Sequence, residues 1–161
     1  MLAERIYRQT NRLYDRTRSP TAVDAARAQP TGGIDQLRGH RYCVLVSYRR
    51  DGTPVPSPLW FGLADGRLYV RTGAATSKLQ RIRRHLQVRV APSTVRGTPL
   101  GPPFVGQARI LEPSEEPHAE RAIRANYRWL RRIYLRLLTG HLAARYVEIV
   151  PVNNGRPSQQ A

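Results

Sequence analysis

The sequence predicts a mainly β fold, a six-stranded antiparallel β-barrel carrying one short and one long helix. Three observations carry that expectation. Six stretches rich in β-branched and aromatic residues are punctuated by turn residues. Strands and helices do not alternate as a parallel sheet requires. The chain of 161 residues suffices for one core and not for two.

Residues 41–48, RYCVLVSY, read as the first strand, and Arg50-Asp51-Gly52 supplies a tight hairpin into the second, residues 53–61. Pro54, Pro56 and Pro58 have no N–H to give a ladder, so this strand belongs at an edge or bulge, where an opened edge could admit a ligand. Ala64-Asp65-Gly66 turns the chain into a third strand, residues 67–72. After a helical segment come a fourth strand, residues 86–91, and a fifth, about residues 104–111. Ser114, followed by Glu115, Glu116 and Pro117, reads as a helix start, because a hydroxyl caps free amides and carboxylates suit the positive end. From Ala119 through Ala122, Ile123, Tyr127, Leu130, Ile133 and Tyr134 to Leu137 one apolar face recurs at helical spacing, and Gly140 is placed to end it. Residues 144–152 make the last strand.

The domain layout follows. Residues 1–33 are a basic extension in which Leu2, Ile6, Leu13 and Tyr14 mark a short amphipathic helix before a linker. Residues 34–152 are the barrel, and residues 153–161 a polar tail expected to be disordered. The N-terminal helix is expected to rest on the barrel or on a second subunit, with peripheral contact to an anionic membrane as the rarer outcome.

Composition narrows the function. No run of about 18 apolar residues could span a bilayer and nothing reads as a secretory leader, so a cytoplasmic setting is expected. The single cysteine, Cys43, can form neither an internal disulfide nor a cysteine-based zinc site, and core packing is its expected role. A formal net charge of +16 favours anionic ligands. Nearly all of that charge is arginine, Lys78 being the only lysine, a skew that genome composition also produces. No RNA-binding or helix-turn-helix signature accompanies it, so no specific nucleic-acid partner is expected. The four histidines and few acids show no metal-ligand spacing, nucleophile elbow or paired carboxylates.

Two constellations carry chemistry. In residues 71–84, RTGAATSKLQRIRR, a strand runs through small residues into a basic helix. Amides at a helix start near Thr76, the hydroxyls of Thr76 and Ser77, and Lys78, Arg81 and His85 along one side suit a phosphate, while Leu79, Ile82 and Leu86 suit a core. A solvated basic face is an equal alternative for such a run. In residues 52–61, GTPVPSPLWF, alternation puts Pro56, Pro58 and Trp60 on one side of the strand as a wall that could stack on a planar ring; a core tryptophan is the commoner reading.

Together with GRLYVRT at residues 66–72, SKLQRIRRH at 77–85 and VRGTPLGPPFVGQARIL from Val95, the segment DGTPVPSPLWF at 51–61 resembles the pyridoxamine-phosphate-oxidase-like superfamily. The closer resemblance is to its predicted coenzyme F420-dependent oxidoreductases, over about Leu37 to Val152. The resemblance implies a flavin- or deazaflavin-binding split β-barrel, a homodimer with cofactor at the subunit interface, and hydride transfer to a small organic acceptor without a catalytic side chain. By that carry-over Ser77 and Lys78 hold the phosphate; Arg81, on the same side of the helix as Lys78 by spacing, adds charge. Ser57, Pro58, Leu59 and Trp60 run beside the ring and ribityl chain, and Arg71 and Thr72 approach from the next strand. Many relatives have glycine where this chain has Ser77. The excess of arginine suits the glutamate tail of F420; flavin mononucleotide (FMN) is the alternative cofactor, and a non-catalytic cofactor carrier or basic nucleic-acid module the alternative from another class.

Overall fold

A computed structural model describes residues 17–127 and 143–152. Six antiparallel strands close into a barrel, as the sequence predicts: β1 (Tyr42–Tyr48), β2 (Pro54–Ala64), β3 (Arg67–Gly73), β4 (Gln87–Ser93), β5 (Phe104–Ile110) and β6 (Ala144–Pro151), in the order β1-β2-β3-β6-β5-β4 around the wall. Alternation sorts their side chains. Cys43 and Leu45 of β1, Phe61 of β2, Leu68 and Val70 of β3, Val88 and Val90 of β4, and Val147 and Ile149 of β6 point inward and are buried in one core.

Three helices cover this barrel among the described residues: α1 (Asp24–Arg27), α2 (Ser77–Arg84) and α3 (Glu116–Tyr127). On α1 and the 3-10 turn Pro20–Val23 before it, Ala25 and Ala22 are fully buried against the outward Val44, Val46 and Ala91. Residues directly before the expected boundary at Gly33 are thus packed on the barrel wall. Helix α2 lies across one end of the barrel and drives Leu79 and Ile82 into the inner core. Helix α3 packs on β2, β3 and β6 through Ala119, Ala122, Ile123 and Tyr127, beneath which lie Tyr69 and Trp60. Its approach requires Gly62: a Cβ there would fall 2.3 Å from the carbonyl carbon of Ala122.

Element ends differ from expectation in explicable ways. Strand β2 runs on to Ala64 because Phe61–Ala64 pair with β3. Strand β4 begins at Gln87, leaving Leu86 exposed. Helix α3 starts at Glu116, two residues after Ser114: the Glu115 carbonyl accepts the amides of His118 and Ala119, and the Glu115 carboxylate takes the Glu112 amide at 3.0 Å. The rest of the expected long helix, the amphipathic N-terminal helix and the tail lie outside the described residues.

Candidate functional site

The prolines of β2 explain where the barrel opens. From Pro54 to Trp60 this strand pairs only with β1, Tyr48 opposite Pro54 through Tyr42 opposite Trp60; pairing with β3 begins at Phe61. A proline facing a paired strand can stand only where its nitrogen points away, so Pro54, Pro56 and Pro58 turn their nitrogens and carbonyls to the unpaired side. The Pro56 carbonyl shows this directly, accepting a hydrogen bond of 2.8 Å from Nη1 of Arg18, a residue of the N-terminal extension. The open edge expected from the sequence is therefore present inside an otherwise closed wall.

The far end of β3 and the start of α2 border that opening. Thr72 and Thr76 are buried with hydroxyls 3.4 Å apart, and the Thr76 amide donates to the Gly73 carbonyl, forming the turn into the helix. Thr76 occupies the N-cap of α2 in extended conformation, and no side chain caps the first-turn amides. That helix end therefore keeps donors and a positive half-charge available to an anion. Arg81, one turn on, donates from Nε to Oγ of buried Ser47 at 2.8 Å and from Nη1 to Oγ of Ser77 at 3.1 Å, which fixes its guanidinium between β1 and the helix start. Lys78 is half-buried, and its charge bears on the thiol of Cys43, the residue opposite Leu59. Burial dominates that thiol and pushes it up to about 12, so Cys43 stays protonated within the core, the role its sequence context suggested.

Nine residues were singled out from sequence, and they fall on two sides of the wall. Ser57 and Leu59 share the inward parity of Phe61, and Thr72 that of Val70; Thr72 meets the start of α2 through Thr76, and Leu59 packs on the core that also holds Leu79 and Ile82. Pro58, Trp60 and Arg71 have the outward parity. Pro58 borders Gly97, where an added Cβ would lie 3.5 Å from its own Cβ. Trp60 stacks on Tyr127 of α3 with ring centroids 4.2 Å apart at 17° and meets Tyr42 edge-on at 6.1 Å. Its indole thus belongs to the cluster under α3, the packing alternative weighed for it. The residue pairs the sequence missed are those joined across the chain: Arg18 with Pro56, Ser47 with Arg81, and Tyr127, whose hydroxyl accepts from the Phe61 amide at 2.9 Å and donates to the Arg41 carbonyl. Ser47 had a readable signal, a hydroxyl at an inward position of an apolar strand.

A broad concavity of about 760 Å³ lies elsewhere, on the outer face of β5 and β6 between the end of α2 and the start of α3. Its floor is an ion network: Glu148 accepts from Arg67 at 3.0 Å, Tyr69 at 3.2 Å and Arg109 at 3.2 Å, while Arg109 grips Glu115 with two bonds of 2.8 and 2.9 Å. Burial opposes the charge on Glu148, but the hydrogen bonds from Arg67 and Arg109 outweigh it and hold the carboxyl below the usual range. Because these polar groups satisfy one another, the concavity offers an anion less than the α2 start does. Among the described residues no three His, Cys, Asp or Glu side chains converge on a metal position.

A family model described as pyridoxamine 5'-phosphate oxidase matches residues 34–149. The chain belongs to this family of flavin-binding oxidoreductases. Solved structures agree on the fold. A conserved hypothetical protein of Mycobacterium tuberculosis is 20% identical with a TM-score of 0.55, covering 73% of this chain and 76% of its own. General stress protein 26 of Bacillus anthracis is 24% identical with a TM-score of 0.51, covering 73% and 84%. An FAD-binding protein of Mesorhizobium loti is 16% identical with a TM-score of 0.52, covering 73% and 86%. No curated protein matches the sequence.

Proposed function

We propose that this family member is an F420-dependent oxidoreductase that transfers hydride between the reduced deazaflavin and a small organic acceptor. The observation that carries the reading is the uncapped start of α2, with Ser77, Lys78 and Arg81 held against β1, the sheet partner of the half-unpaired strand β2. That arrangement fits a phosphate: uncapped helix-start amides, the Ser77 hydroxyl and two cations lie within little more than one turn of one helix. When bound, the deazaflavin supplies the hydride itself. The chain's part is to hold and orient. Lys78 and Ser77 take the phosphate, Arg81 is kept in place by Ser47, and Ser57 and Leu59 run beside the ribityl chain and ring. Arg83 and Arg84 add positive charge on the same helix, and Arg71 on the strand before it, which suits a tail of glutamates. A homodimer belongs to this reading, since exposed Leu86, Val150 and Val152 border the concavity on β5 and β6 and would be covered by a second copy.

FMN is the second reading, favoured by the family match; it needs less positive charge than this chain carries. Fluorescence anisotropy of oxidised F420 and of FMN titrated with the full chain at moderate salt separates the two. Micromolar or tighter binding of F420 with weaker FMN supports the proposal. The reverse preference moves the protein to the flavin branch, and binding of neither leaves a non-catalytic basic module.

A further inference from the structure

We propose that the outer wall of the barrel carries a second anion-binding site, built by Tyr48, Arg49, Arg50, His85 and Arg89, that takes a small phosphate- or carboxylate-bearing molecule. These residues come from three elements: the end of β1 with its hairpin, the C-cap of α2, and β4. Together with Gly52, Gln87 and Val105 they line an open cavity of about 330 Å³. That size lies at the small end of the range for small-molecule sites and admits a phosphate ester or a di- or tricarboxylate.

The cations are arranged rather than merely numerous. Arg89 alternates outward between the inward Val88 and Val90, and its Nη1 donates to the Ala28 carbonyl at 2.8 Å, so the end of α1 sets its guanidinium against the wall. The Tyr48 ring lies 5.4 Å from that of His85, tilted by 56°, and forms an apolar flank with the phenol beside Arg89. His85 Nδ1 donates to the Gln87 carbonyl at 3.0 Å, which holds the ring against Tyr48. Among the described residues no acid borders the cavity. Asp51, next to Arg50, spends its carboxylate on the Thr53 amide at 2.9 Å within the turn. Among the described residues, Arg49, Arg50 and Arg89 enter no ion pair.

Solvated arginines are the ordinary alternative, and the last turn of α2 accounts for Arg83 and Arg84 by its dipole alone. It does not account for Arg49, Arg50 and Arg89, which lie on other elements. The helix end contributes about half a negative charge, against three full positive ones. The site is separate from the proposed cofactor site, at the opposite end of a helix of eight residues, about 12 Å long.

Isothermal titration calorimetry of the full chain with inorganic pyrophosphate, and with citrate, tests the proposal. The Lys78→Ala background removes most anion binding at the α2 start. In it, pyrophosphate or citrate is expected to bind with a Kd below about 1 mM. Adding Arg49→Gln and Arg50→Gln, both on the exposed hairpin and outside the core, is expected to weaken binding at least tenfold, and Arg89→Gln to do the same. Absence of binding in the Lys78→Ala protein, or binding that survives the hairpin changes, overturns the proposal, as does capture of duplex DNA in place of either small anion. Titration of the hairpin variant with F420 and FMN keeps the two readings apart: unchanged affinity upholds a separate site, and a loss would merge it with the cofactor's.

Discussion

The two halves of β2 belong to one strand yet meet opposite demands. From Pro54 to Trp60 the strand has three prolines and one sheet partner, and a side chain from the N-terminal extension, Arg18, caps one of its free carbonyls. From Phe61 to Ala64 it has no proline and is paired with β3. Helix α3 clamps it there at Gly62, and Tyr127 ties the Phe61 amide to the Arg41 carbonyl. The difference teaches that the barrel is anchored at one half of the strand and opened at the other, so substitutions should separate into those that cost stability and those that cost ligand.

The largest effect is expected at the clamp. Gly62→Val forces a side chain into the Ala122 backbone and should destabilise the fold by about 3 kcal/mol or more, seen as a lower urea midpoint. On the open side, Lys78→Ala should weaken F420 binding by about 2 kcal/mol, the scale of a charge-assisted phosphate contact, with little change in that midpoint. If Lys78→Ala unfolds the protein instead, the division between the halves fails. Tyr127→Phe strands a buried amide and should cost roughly 1–2 kcal/mol of stability, with cofactor affinity kept.

A smaller, pH-dependent effect marks the outer face of β6. The folded protein holds Glu148 below its unfolded value, so the stability this carboxylate contributes is fully present above about pH 4.3 and is lost as pH falls through the folded-state value. Glu148→Gln should therefore cost roughly 1 kcal/mol at neutral pH and flatten the fall in stability below pH ~4.3, read from urea midpoints across that range. An unchanged acid profile would mean that Arg67 and Arg109 gain nothing from it.

How much of this was legible before folding follows from the range of each interaction. Alternation within a strand is local, and so are the turns at Gly52 and Gly66, both of which have positive φ; all six strands could be placed from sequence. Proline's missing donor is likewise a property of one residue, which made the open edge of β2 readable. The run into α2 announced an anion site through residue types alone. What no local pattern could show were the contacts across the fold. Arg18 reaches Pro56 over 38 positions, Arg81 reaches Ser47 over 34, and Trp60 is claimed by Tyr127, 67 positions away in sequence. Ala22 and Ala25 look like linker residues, too small to give an apolar signal, and only the wall of Val44, Val46 and Ala91 shows why small residues fit there. The basic cavity at Tyr48 needed the same assembly, because its arginines are contributed by separate elements.

Hydrogen exchange read by mass spectrometry, with and without bound F420, tests the central claim most directly. Binding at the open half of β2 predicts added protection over the first turn of α2, residues 77–79, whose amides are uncapped, with residues 107–112 unchanged. Protection confined to residues 107–112 and 145–150, the concavity on β5 and β6, with none at the start of α2, would contradict it.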